Sequence, residues 1–175
     1  MTTPGPSTDP ILDRITAAVG AHRVDGDPRH RDTLVDLWAE ITSGGDPFHR
    51  CVLAHYIADM VDDPAQALMW DVRALDAADV LDDSRAQAHH VSLQVAAFYP
   101  SLHLNIADNL RRLGSFDAAA DHLDAARARA GALAGALADL GPEQSGYVEM
   151  MTTLIDDIGV LIRDRSSEAR STHPA

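Results

Sequence analysis

The 175-residue sequence contains no lysine, so its 14 lysine-or-arginine positions are all arginine. Aspartate and glutamate together number 27, and the formal net charge at pH 7 is -13. Because nucleic-acid phosphates are bound by clustered positive charge, this balance argues against a nucleic-acid-binding protein. The same negative charge disfavours anionic membrane surfaces. We therefore expect neither nucleic acid nor a membrane as a partner.

Cysteine, aromatic residues and long apolar runs are also scarce. A lone Cys51 cannot form an internal disulfide, which is typical of a reducing compartment. The amino-terminal stretch MTTPGPSTDP lacks the basic start and the apolar core of a signal peptide. No apolar run approaches the roughly 20 residues that span a bilayer. Together these features predict a cytoplasmic protein.

Asp-Pro pairs recur along the sequence and mark helix starts. An aspartate at the N-cap accepts a hydrogen bond from the first turn, and the following proline already has a helical φ angle. Between these pairs apolar residues recur every three to four positions, as in amphipathic helices. The pattern predicts an all-α fold with helices at about 9–22, 28–43, 47–61, 64–79, 84–98, 100–113, 116–139 and 143–165.

The boundaries of the folded part are less sharply marked than its helices. Because the residue before Pro100 is biased away from the helical region, 84–113 is compatible with two helices or with one kinked helix. We predict a single helical domain over 9–165. The flanking segments, 1–8 and 166–175, carry no apolar periodicity and are predicted to be disordered tails.

One short segment occurs twice. The tripeptide Ile-Ala-Asp at 57–59 recurs at 106–108, and each copy is followed by a turn and an alanine-rich second helix. Each second helix has two alanines seven residues apart, which places them on one face: Ala67 and Ala74, and Ala119 and Ala126. Since small residues on one face let antiparallel helices approach closely, the pattern predicts two helical hairpins.

At these positions the chain resembles the tetratricopeptide repeat family, whose helix pairs are 34 residues long. The positions that match the family pattern are Ile106, Ala107, Leu110, Gly114, Ala119, Leu123 and Ala126. The match is good over 100–131 and weaker over 51–79, where Asp71 replaces an apolar residue. The chain departs from the family pattern at His103, where tryptophan is common in the family, and at Gly131, where proline is common. It implies stacked antiparallel hairpins with 143–165 as a capping helix.

Arrays of this kind line a concave groove with their first helices, and the groove binds peptides or partner domains. The resemblance places eight residues on that groove: Cys51, His55, Asp59, Asp62, Ser101, Leu104, Asp108 and Arg111. Family members that clamp a carboxylate have lysine and asparagine where this chain has Leu104 and Asp108, so no such clamp is expected. The aspartates, the histidine and the arginine of this set would suit a polar or basic segment.

A polar cluster adjoins this predicted groove. Asn105, Asn109 and Arg112 share one helix face beside Asp108 and Arg111, and Arg112 could contact a partner carboxylate through two hydrogen bonds. Alternatively, these side chains bond within the chain to helix 84–98, around its His90 and Gln94.

The leading hypothesis is a non-catalytic adaptor that binds a protein or peptide, with no cofactor and no metal. The candidate partner-binding residues are His55, Asp59, Asn105, Asp108, Asn109, Arg111 and Arg112.

Two other functions stay open. His55 and Asp59 are one helical turn apart, a spacing that can hold a metal, and Asp62, Asp63 or the pair at 89–90 could add ligands. An all-α metal-dependent hydrolase is therefore the second hypothesis. The third is a structural homodimer held by the C-terminal helix, whose apolar residues lie on more than one side. Cys51 lies within an apolar helical pattern, and we expect a buried, inert thiol there.

Overall fold

A computed structural model describes residues 9–41, 44–81, 91–137 and 145–170, and these residues form seven helices without any strand. The predicted all-α fold is confirmed. The helices are α1 Pro10–Asp25, α2 Arg29–Ile41, α3 Pro47–Asp59, α4 Pro64–Asp79, α5 Val91–Arg112, α6 Phe116–Leu137 and α7 Ser145–Arg163.

The Asp-Pro pairs begin helices as predicted. Asp9, Asp46 and Asp63 are the N-caps of α1, α3 and α4, and their carboxylates accept hydrogen bonds of 2.9–3.0 Å from first-turn backbone N–H groups. Each of these helices then starts with its proline. Because the caps satisfy donors that have no partner inside the helix, they fix where the chain enters each helix.

Pro100 does not divide the chain into two helices. The structure shows one helix from Val91 to Arg112 with Pro100 in its interior, and the predicted start at 84–90 lies outside the described residues. A proline inside a helix removes one backbone donor. The hydroxyl of Ser101 donates to the carbonyl of Phe98 at 2.7 Å, which adds a hydrogen bond next to the interruption.

The two predicted hairpins are present. α3 packs on α4 and α5 packs on α6, while α4 contacts α5 and so stacks one hairpin on the other. All four of the spaced alanines are buried, with exposed fractions of 4% or less: Ala67, Ala74, Ala119 and Ala126. Gly114 has a φ of 82° where α5 ends, a left-handed conformation that glycine adopts without a steric penalty. Membership of the tetratricopeptide repeat family stays a prediction.

The remaining helices flank the two hairpins. α1 contacts α2 and α3 on one side, and α7 contacts α5 and α6 on the other. α7 buries four side chains in the core of the second hairpin: Met151, Ile155, Ile158 and Ile162. The C-terminal helix therefore covers the last hairpin, as predicted for a capping helix.

A histidine pair joins α5 to α6, and one of its members is His103, at the position where the family pattern has tryptophan. The Nδ1 atoms of His103 and His122 are 3.1 Å apart, so one imidazole donates to the other. Burial lowers the pKa of both rings, and for His103 the neighbouring His122 and Arg129 lower it further. The pair is therefore a neutral hydrogen bond between the two helices of the hairpin.

Candidate functional site

An open groove of about 610 Å³ lies between α1, α3, α5 and α7; we call it the central groove. α1 packs on α3 and α7 packs on α5, so the outer two helices extend the surface that α3 and α5 begin. Much of the lining is apolar, and it includes Leu12, Phe48, Phe98, Leu104, Met150 and Leu154. Met150 is half exposed, which leaves apolar surface open to solvent inside the groove.

Three of the predicted site residues meet in the polar part of the central groove. Asn105 donates through Nδ2 to Oδ1 of Asp59 at 3.1 Å, which connects α5 to α3. The Nε2 atom of His55 lies 3.8 Å from Oδ2 of Asp59, too far for a hydrogen bond. The Asp59 side chain is 47% exposed and keeps an accessible carboxylate in the groove.

His55 is buried and incompletely bonded. Its residue exposure is 9%, and within the described part of the chain its Nδ1 atom has no hydrogen-bond partner. Burial lowers the pKa of the imidazole, although the charge of Asp59 acts in the opposite direction. His55 is therefore neutral near pH 7 and does not compensate the negative charge of Asp59.

A second, smaller cavity of about 130 Å³ lies on the other side of the Asp59–Asn105 contact; we call it the Asp71 cavity. Asn109 donates to Oδ2 of Asp71 at 2.9 Å, and Asn105 also lies 3.5 Å from its Oδ1. Asp71 is 1% exposed. Burial raises its pKa to about 8, with the charge of Asp59 adding to the effect and the two amides opposing it. Asp71 therefore retains its proton near neutral pH.

Arg111 is not on a partner-binding surface. Its side chain is 0% exposed, and its Nε and Nη2 atoms donate to Oδ1 of Asp108 at 2.9 and 2.6 Å. Its Nη1 donates to the backbone carbonyls of Ser166 and Glu168 at 2.8 and 2.7 Å. The first residues of the predicted C-terminal tail therefore cover the face that the sequence analysis assigned to a partner. Arg111 does not face a partner but anchors this C-terminal segment within the chain.

The polar cluster on α5 forms hydrogen bonds within the chain, and those between described residues run to α3, α4 and the turn between them. Asn105 and Asn109 contact α3 and α4, and Arg112 donates through Nη2 to the backbone carbonyl of Asp62 at 2.7 Å. Residues 91–98 belong to the same helix as the cluster, so they cannot face it across an interface. His90 lies outside the described residues, and the Gln94 side chain is among those not described.

The seven predicted residues therefore separate into three groups. His55, Asp59 and Asn105 line the central groove, and Asp59 and Asn105 also line the Asp71 cavity with Asp108, Asn109 and Arg112. Arg111 lines neither. Sequence reasoning did not place the contributions of α1 and α7 in the groove. The signal available for α7 was its apolar residues outside the main stripe, among them Met150.

Thiol chemistry and metal chemistry are the two alternatives to a binding surface. Cys51 is buried and burial raises its pKa to about 12, which agrees with an inert thiol. No group of three or more histidine, cysteine or acidic residues in the described ranges is arranged to hold a metal ion. His89 and His90, which the hydrolase hypothesis also uses, lie outside those ranges. Among the helices that the structure describes, none combines the length and apolar character needed to cross a membrane.

Comparisons with protein-family models, with curated proteins and with solved structures gave no match to this chain.

Proposed function

We propose that the chain is a non-catalytic, cytoplasmic scaffold that binds a peptide or a segment of a partner protein in the central groove. The observation that carries the proposal is an open, largely apolar groove, shared by four helices, with a few polar groups in one region. Its volume of about 610 Å³ lies within the range of roughly 300–1,000 Å³ that is typical of preformed ligand sites.

The lining favours a peptide over a polar small molecule. Phe48, Phe98 and Tyr147 present aromatic surface, and the half-exposed Met150 presents a flexible thioether side chain. Aromatic and methionine residues are enriched at protein-binding surfaces, where methionine adapts to side chains of different shape. Burying apolar side chains of a bound segment against this lining supplies the binding free energy.

A peptide-display selection against the immobilised full chain tests the proposal. We expect 12-residue peptides to be recovered, and we expect Met150→Glu to weaken the binding of synthetic copies about tenfold, because the carboxylate replaces an apolar contact. Met69→Glu is the matched control: Met69 is 43% exposed and Met150 is 50% exposed, but Met69 does not line the groove. The dissociation constants are measured by fluorescence anisotropy.

Two outcomes would contradict the proposal. One is that the full chain enriches no peptide over an immobilised blank. The other is that Met150→Glu and Met69→Glu weaken the recovered peptides equally, which would place the binding surface elsewhere. Circular dichroism of both variants checks that the helices are retained.

A further inference from the structure

We infer that the polar region of the central groove binds the arginine or lysine side chain of a partner segment, and that the buried Asp71 releases a proton when this cation binds. The inference rests on the proposed function and specifies the chemistry of the partner. It depends on three groups that lie together: the exposed carboxylate of Asp59, the bridging amide of Asn105 and the buried carboxyl group of Asp71.

Asp59 is suited to receive a cation. Its carboxylate is 47% exposed in a groove with apolar walls, and no described arginine lies within 4.0 Å of it. The imidazole of His55 is neutral, and its Nε2 atom lies 3.8 Å from Oδ2 of Asp59. The amide of Asn105 contributes one hydrogen bond and no charge. An incoming guanidinium or ammonium group would therefore supply the missing positive charge through charge-assisted hydrogen bonds.

The overall charge agrees with this choice of partner. The chain has a formal net charge of -13, which attracts a basic segment over distances of about a Debye length, roughly 8 Å at physiological salt. Arg23 of α1 also lines the central groove, but it is exposed and forms no salt bridge with Asp59. The apolar lining indicates that the basic residue of the partner has apolar neighbours in sequence.

Asp71 lies directly behind this position. One amide nitrogen, Nδ2 of Asn105, is 3.1 Å from a carboxylate oxygen of Asp59 and 3.5 Å from one of Asp71, so the two acids are close neighbours. The charge of Asp59 is one of the causes that keep Asp71 protonated. When a cation neutralises Asp59, that cause is removed and the acid dissociates more readily.

The other polar groups around Asp71 do not take the place of the Asp59 charge in keeping Asp71 protonated. Asp59 faces it from α3, and four residues on α5 line the same cavity: Asn105, Asp108, Asn109 and Arg112. Asp108 is paired with Arg111, and Arg112 donates to a backbone carbonyl of the α3–α4 turn. Asn109 donates to Asp71 and stabilises the ionised form once the proton has left. The proton passes to solvent buffer, and no bond other than O–H is broken.

The test uses peptides recovered from the display selection and two aspartate variants. We expect arginine or lysine to be enriched beside apolar residues in the recovered sequences. Replacing that arginine by citrulline, its neutral analogue, should weaken binding about tenfold, and so should Asp59→Asn. Asp62→Asn is the matched control, because it removes the same charge from the exposed turn after α3 and does not alter the groove lining. It should change the dissociation constant less than twofold.

Proton release is measured by titration calorimetry at pH 7 in buffers of different ionisation enthalpy. We expect up to about one proton per bound peptide for the natural chain and none for Asp71→Asn, which should still bind. Equal release by both proteins, or no release by either, overturns the coupling to Asp71. Peptides that bind in the central groove without a basic residue, and that tolerate Asp59→Asn, overturn the cation site and leave the proposed function intact. Recovery of no peptide overturns both.

Discussion

Replacing Arg111 by methionine should lower the free energy of unfolding by about 3 kcal/mol or more, the cost typical of breaking a buried ion pair. The Arg111 side chain is completely buried and donates four hydrogen bonds. Methionine fills a similar volume without a charge. Its substitution leaves the carboxylate of Asp108 and the carbonyls of Ser166 and Glu168 without their donor, and unpaired polar groups of this kind are strongly destabilising.

The neighbouring arginine provides the matched control. Arg112 is partly exposed and donates one described hydrogen bond to the carbonyl of Asp62, so Arg112→Met should cost less than about 1 kcal/mol. Urea denaturation followed by circular dichroism at pH 7 measures both. Similar losses for the two variants would show that Arg111 is not the anchor of the C-terminal segment. A chain that no longer unfolds cooperatively after Arg111→Met would agree with the expected loss.

Asp71→Asn should stabilise the protein, and the gain should grow with pH. A pKa raised from 3.8 to about 8 means that the folded chain keeps a proton which the unfolded chain has lost. The contribution of Asp71 to the free energy of unfolding is therefore fully present below about pH 4, and it declines as the pH rises towards 8. This decline in the free energy of unfolding is at most about 5 kcal/mol, and structural relaxation and water entry make it smaller. Asparagine carries no titrating proton and avoids this loss.

The measurement is the difference in unfolding free energy between Asp71→Asn and the natural chain at pH 4, 6 and 8. Burial lowers the pKa of His55, His103 and His122, so these residues reduce stability as the pH falls below about 6.5. Both proteins contain them, so their contribution cancels in the difference. Asp76→Asn, at an exposed position on the same helix, should change stability by less than about 0.5 kcal/mol throughout. A difference for Asp71→Asn that does not vary with pH would contradict the buried neutral acid.

Local signals in the sequence were sufficient for the starts of α1, α3 and α4 and for the pairing within each hairpin. An aspartate cap followed by proline acts within one turn, through hydrogen bonds between neighbouring residues at the starts of α1, α3 and α4. Two alanines seven residues apart define a face wherever a helix forms. The pairing of α3 with α4, and of α5 with α6, then follows from short turns. These features depend on residues that are close in sequence.

The groove and its electrostatics depend on residues that are far apart in sequence. Asp108 and Arg111 are three residues apart and resemble an exposed polar face, yet Arg111 is buried because residues 166–168 return to it. No pattern within α5 specifies that return. In the same way α1 and α7 reach the central groove only through packing. The substitution of an apolar residue by Asp71 was visible in the sequence, but its amide partners on α5 were not.

Backbone-amide NMR of the isotopically labelled chain, titrated to saturation with a display-selected peptide, tests the binding proposal most directly. We predict that the largest chemical-shift changes follow the central groove, at positions such as Thr16, Tyr56, Ser101 and Met150 on its four helices. Changes concentrated instead around the exposed Met69 and Val72 of α4 would show that the partner binds outside the groove and would contradict the proposed binding site.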